Sequence, residues 1–188
     1  MLARPTRAIA LAVLILAPVV VFRHGVAAQE DQKYLLPPKA IVDVFDAEPM
    51  PQTVLNPNHQ AVALIKARAY PTIAELAQPM LRLAGSRVNP KTNGPHRASG
   101  LPGTGIYSIT LKKIADGAET NVTMPPQARV SHVKFNADGS RVAFLNTKSD
   151  AIELWVADTA TGSAKAVVSG SDRINATAGD PCDWPGRA

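Results

Sequence analysis

The sequence predicts an all-β chain of short antiparallel strands behind an N-terminal signal helix. Three observations carry that expectation. Runs rich in β-branched residues alternate with turn residues along most of the chain. One stretch of about 40 residues reads as four strands in succession, the pattern of one blade of a propeller. The same grammar recurs upstream, so the unit repeats. Aromatics make up only 5% of the 188 residues and prolines number 16, a poor composition for a compact helical domain.

The first element, residues 1–28, has the layout of a secretory signal peptide. Arg4 and Arg7 form a positive start, Ala8 to Phe22 carries no charge, and Val26-Ala27-Ala28 precedes Gln29 as a small-residue cleavage site. Such an apolar run rises about 22 Å as a helix, short of a roughly 30 Å hydrocarbon core. The expected product therefore has no stable membrane span after cleavage; an uncleaved anchor is the alternative, because Arg23 and His24 stand so near the site. The expected compartment is the periplasm of a bacterium or the outside. The net charge of +5 and pI of 9.6 first point toward nucleic acid. Cleavage removes three arginines, though, and leaves an excess of only two basic residues, with no run longer than Lys112-Lys113. No nucleic-acid partner is expected.

Residues 29–52 form a lead-in, polar and proline-ended over Gln29 to Pro38. The clearest unit follows later, at 129–170. Val133 and Phe135 alternate with Lys134, and Asn136-Ala137-Asp138-Gly139 supplies a turn with glycine available for positive φ. Val142-Ala143-Phe144-Leu145 is a continuous apolar run, suited to a strand covered on both faces. Ile152, Leu154 and Val156 alternate with Glu153, Trp155 and Ala157, so one face is apolar and the other holds a tryptophan. Ala164 to Val168 makes a fourth strand.

An earlier unit, 53–128, aligns with this one without a gap. Val54-Leu55-Asn56-Pro57-Asn58-His59-Gln60-Ala61-Val62-Ala63-Leu64-Ile65 stands against Lys134-Phe135-Asn136-Ala137-Asp138-Gly139-Ser140-Arg141-Val142-Ala143-Phe144-Leu145. Ile106 to Leu111, a turn at Asp116-Gly117 and Thr120 to Met124 complete it. Residues 67–105 are an insertion within it. Ile73, Leu76, Ala77 and Met80 have helical spacing there, but Pro71 and Pro79 confine any helix to about two turns. Gly94 to Gly105 reads as a surface loop, and Gly103-Thr104-Gly105 as a turn, not a dinucleotide fingerprint. A third unit is expected to begin in 171–188, with Arg173-Ile174 echoing Arg129-Val130 and Trp184 near the place of Phe135. On this reading the chain is a fragment holding about two blades of a partial propeller.

The unit Asn136 to Leu145, followed by Ile152-Glu153-Leu154-Trp155-Val156-Ala157-Asp158-Thr159-Ala160-Thr161-Gly162, resembles the WD-like propeller repeat of the prolyl oligopeptidase family of serine peptidases. Tyr34 to Pro38, Ala74 to Ala77, Leu83 to Pro90 and Leu154 to Asp158 resemble the N-terminal propeller region of its glutamyl endopeptidase-like branch. The resemblance implies a propeller capping an α/β-hydrolase domain with a Ser-Asp-His triad, filtering peptide or protein substrates for the parent enzyme. This chain departs from the family in lacking any Gly-x-Ser-x-Gly nucleophile elbow. No catalytic residue, cofactor-binding residue, cofactor or metal ligand is therefore expected in it.

Other chemistry weighs less than its structural alternative. His59, His96 and His132 have no mutual spacing that suits a metal, and packed or solvated histidines explain them. Asp180, Cys182 and Asp183 follow no known calcium or zinc loop and read better as a segment leading into a strand. Cys182 alone allows no internal disulfide and has no assignable base. Asn121-Val122-Thr123 and Asn175-Ala176-Thr177 match a glycosylation sequon that a bacterial compartment would not use. Trp155 is a ligand platform or, better, a buried tryptophan between blades. Two functions remain: the substrate-gating propeller portion of a secreted serine peptidase, silent by itself, or a periplasmic TolB-like propeller that binds protein or peptide.

Overall fold

The computed structural model describes residues 35–96, 103–170, 172 and 174–185. The signal peptide expected at 1–28 lies outside the described residues. The chain divides at Asp46 into two units. In the first, α1 (Lys39–Phe45) is a two-turn helix absent from the sequence expectation. It starts behind Pro38 and carries an exposed Lys39–Asp43 ion pair one turn apart. Every other described element belongs to the second unit, which is predominantly antiparallel β. Among the described residues no helix is long and apolar enough to cross a membrane.

Two four-stranded meanders make up its body. The first comprises β1 (Gln52–Leu55), β2 (Ala61–Ala67), β6 (Ile106–Lys113) and β7 (Glu119–Asn121), each antiparallel to the one before. Its insertion holds α2 (Ile73–Leu76), β3 (Leu81–Leu83), β4 (Ser86–Asn89) and β5 (Gly94–Pro95). The second meander comprises β8 (Val130–Phe135), β9 (Arg141–Thr147), β10 (Ile152–Asp158) and β11 (Ala164–Val168), paired in the same order.

The internal repeat is visible at the level of single hydrogen bonds. Asn56 N–H donates to Ala61 O at 2.9 Å, and Asn136 N–H to Arg141 O at 3.0 Å. His59 and Gly139 occupy the same left-handed position, φ 59° and 74°, and donate back to Asn56 O and Asn136 O. The third-to-fourth-strand turns match as well: Lys113 N–H bonds Ala118 O, and Asp158 N–H bonds Ser163 O. Asparagine and aspartate hold such turns because their short side chains bond backbone N–H groups two residues on. Ser140 N–H to Asp138 Oδ1 at 2.8 Å and Gln60 N–H to Asn58 Oδ1 at 3.0 Å do so here.

The core lies between the meanders. Ala63, Ile65, Ile106, Ile109 and Leu111 of the first pack with Val130, Val142, Phe144 and Ala157 of the second. Among the described residues a single ladder pair, Ile106 with Val130, joins the two sheets. Asn56, 3% exposed, donates from Nδ2 to Gly139 O at 2.9 Å, and Thr123 N–H donates to Gly162 O at 2.8 Å. The sheets thus pack by their faces and are clasped at their turns.

The structure bears on several expectations. Between Pro71 and Pro79, where any helix is confined to about two turns, there is a single turn capped by Thr72 and Glu75, and Ile73 is 86% exposed, so the helical spacing forms no apolar stripe. Gly94 is no loop residue: it pairs with Asn89, is buried, and a Cβ there would lie 2.6 Å from Ile152 Cδ1. The face of β10 that carries Trp155 meets the shared core, which accords with the expected packing of that tryptophan, while Leu154 and Val156 are half-buried on the outer side. Among the described residues no strand follows Val168.

Candidate functional site

The described residues 174–185 fold back over the outer face of the second meander. Ala176 is buried with Leu145 and Ile152, and its N–H bonds Asn93 O at 2.8 Å. Lys134, in β8, binds this tail: its Nζ lies 2.6 Å from Asp180 Oδ2 and 3.5 Å from Asp183 Oδ1, and donates to Cys182 O at 3.4 Å. Trp184 Nε1 donates to Lys134 O at 3.2 Å. Between tail and sheet remains a cavity of about 240 Å³, walled by Leu154, Val156, Val167 and Trp184 and edged by His132 and Cys182.

This groove brings His132 beside the segment Asp180 to Asp183, two candidates that the sequence leaves apart. Asp180, Cys182 and Asp183 converge on Lys134, and His132 borders them. His132 sits at a bulge with φ 55°, and its Nδ1 lies 2.9 Å from Ser131 Oγ. The electrostatics do not activate a nucleophile. Burial, then the Asp180 carboxylate, pushes the Cys182 thiol above its ordinary range, opposite to what a reactive thiolate needs. Burial would raise Asp180 too, but the Lys134 ammonium, the Cys182 N–H and the nearby His132 outweigh it and hold the carboxyl low.

A second concavity, about 380 Å³, lies beside Trp155, between Pro125, Pro126, Arg129 and Lys148. Glu153, 8% exposed, is its buried anion. Trp155 Nε1 donates to Glu153 Oε2 at 2.9 Å, Asn146 Nδ2 at 3.4 Å, and Lys148 Nζ lies 3.3 Å from Oε1. Burial opposes the charge, yet these three donors keep the carboxyl below its usual range. Trp155 also stacks on Phe144, with centroids 6.4 Å apart and planes 12° apart. It is half-buried and held at both edge and face.

The remaining candidates stand alone. His59 is in the first-meander turn, whereas His96 is buried at 9% exposure and bonds Gln78 O through Nε2 at 3.0 Å. Asn121 lies in β7 with Oδ1 accepting from Thr110; Asn175 is exposed and caps its own turn through Thr177. Glu48, Lys66 and Tyr107 form an exposed cluster unseen in the sequence: Tyr107 Oη donates to Glu48, and Lys66 Nζ donates to it at 2.9 Å. The tyrosine bond, then the lysine, holds Glu48 low. The cluster straps the segment before β1 across β2 and β6.

A paired set of β meanders, packed face to face and clasped at their turns, defines the class of this unit. No known family profile matches the chain. It is similar to a protein of Arabidopsis thaliana named "Probable glutamyl endopeptidase, chloroplastic", 33% identical over 148 residues. A protein of the same name from Oryza sativa subsp. japonica is 31% identical over 138 residues. The matches take in 74% and 70% of this chain but only 15% of either relative. This similarity is distant and partial, and it points toward peptidases.

Proposed function

We propose that the two meanders are successive blades of a β-propeller, and that the chain is the N-terminal propeller region of a secreted prolyl oligopeptidase-family serine peptidase. In that role it admits peptide or protein substrates to a hydrolase domain and supplies no catalytic residue itself. The similarity to two proteins named as glutamyl endopeptidases carries the reading. The chain spans about 15% of their length, a share fit for one region of such an enzyme. Face-to-face packing of repeated meanders supports it, because a propeller buries each blade's faces against its neighbours.

Acyl transfer needs a positioned nucleophile, a base and an oxyanion hole, and the sequence offers no nucleophile elbow. Purified protein should therefore remain unlabelled by a fluorophosphonate; stoichiometric labelling overturns catalytic silence. Sequencing the transcript downstream tests the peptidase connection. Further blades and a Gly-x-Ser-x-Gly segment support it, and their absence from every frame leaves a TolB-like binding module in its place. Export belongs to the same proposal: mass spectrometry should find a mature N-terminus at Gln29, and one still at Met1 refutes it.

A further inference from the structure

The insertion hairpin carries an arrangement that packing does not explain. Arg82 in β3 pairs directly with Arg87 in β4. Both are exposed, and among the described residues neither guanidinium has a hydrogen bond or ion pair. Like charges directly opposite one another destabilise an antiparallel pair. Arg87 O accepts from His96 N–H at 2.9 Å, on the β5 side, so it is not spent on β3. Arg82 and Arg87 are thus a non-hydrogen-bonded pair, in which side chains come closest and Arg82 turns its own N–H and C=O away from β4. Among the described residues that side is unpaired, because β3 is the edge of the sheet β3-β4-β5.

The base of the hairpin is fixed while its tip is free. Val88 and Asn89 are buried, Gly94 presses on Ile152, and Asn93 O holds Ala176. Residues 81–87 are all exposed, including Leu81 at 47% and Leu83 at 56%. The open edge therefore alternates apolar, cationic, apolar along one short strand.

We propose that β3 is a docking edge for an extended acidic segment of a partner protein, added as an antiparallel strand. A residue set opposite Arg82 would exchange both backbone hydrogen bonds with it and present its side chain to both guanidiniums. A carboxylate there relieves the repulsion between the two arginines, and apolar neighbours cover Leu81 and Leu83. The strand is held by its backbone, and no bond in it is broken. The hairpin acts this way whether or not the chain serves a peptidase. Nucleic acid fits poorly: the edge offers one cation pair and no aromatic ring for stacking.

Fluorescence anisotropy with a fluorescein-labelled peptide of alternating valine and glutamate tests this on the whole mature chain. Replacing glutamate by glutamine in the peptide should weaken binding about tenfold, and added salt should act similarly. N-methylation of the alternate backbone amides that face β3 should abolish it. Arg87→Glu should lose the acidic peptide yet melt about 1–3 °C higher, because it converts repulsion into a cross-strand ion pair. Equal affinity for the glutamate and glutamine peptides, or tolerance of N-methylation, overturns the proposal even if the variant fails to fold. Partition to phosphatidylserine vesicles or binding to single-stranded oligothymidine, without affinity for the acidic peptide, overturns it as well.

Discussion

Ala84 is the residue where sequence and backbone disagree most plainly. The two-residue loop Ala84-Gly85 has φ 47° and 87°, the doubly left-handed turn that favours Asn-Gly. An alanine Cβ is strained there by roughly 1–2 kcal/mol. Ala84→Asn should stabilise the protein by up to about 1 kcal/mol in urea denaturation; an unchanged midpoint would show that the hairpin melts before the rest. The opposite case is Gly139, at φ 74°, where a Cβ would lie 1.8 Å from Asn56 Oδ1. Asn136-Ala137-Asp138-Gly139 was legible as a turn because its chemistry is local. That Asn56 reaches across to Gly139 O was not legible, since the partners are far apart in the chain. Asn56→Ala strands a buried carbonyl contact and should cost about 1–2 kcal/mol. A loss within error would show that Thr159, which also donates to Gly139 O, suffices.

At the scale of elements, the strands of both meanders could be read because period-two alternation and turn residues coincide there. The insertion could not. Its strands are short, and their support comes from Ile152, Ala176 and Gln78, which no local pattern reveals. One signal was present: Thr72 followed by Glu75 is a capping box, and it marks α2. The tail escaped for the same reason as the insertion, since Lys134 meets Asp180 from a distant part of the chain. That contact has a pH window. Asp180 titrates below its ordinary range, so its share of the docking is full above that range and is lost as pH falls through the lowered value. Lys134 titrates above its ordinary range, chiefly through Asp180, so its share is full at neutral pH and is lost only as pH rises through the raised value. In a Trp155→Phe background, Trp184 emission should shift to the red in acid and in strong alkali, with far-UV circular dichroism unchanged between. Lys134→Met should produce the shift at neutral pH, and its failure to do so would mean that Trp184 and Ala176 hold the tail unaided.

Across the whole second unit, the two meanders share one core but almost no backbone ladder. One pair, Ile106 with Val130, cannot couple two sheets, so cooperativity must pass through side chains and the turn clasps. Phe144 is the test of that claim. It belongs to β9, is 0% exposed, stacks on Trp155, and packs in the cluster with Ile65, Ile106 and Ile109 of the first meander. Removing such a ring leaves a cavity and costs about 3–5 kcal/mol, a large part of the 5–15 kcal/mol that a domain of ordinary stability holds. If the core is one body, Phe144→Ala lowers hydrogen-exchange protection by the same free energy at Ile109 in β6 as at Ala157 in β10. If the meanders are separate cooperative units, Ala157 loses protection and Ile109 keeps it. The second outcome would remove the face-to-face packing that supports reading these sheets as blades of a larger ring. The first is expected, because Ile106, Ile109, Val130 and Phe144, each at most 1% exposed, form one continuous apolar contact from sheet to sheet.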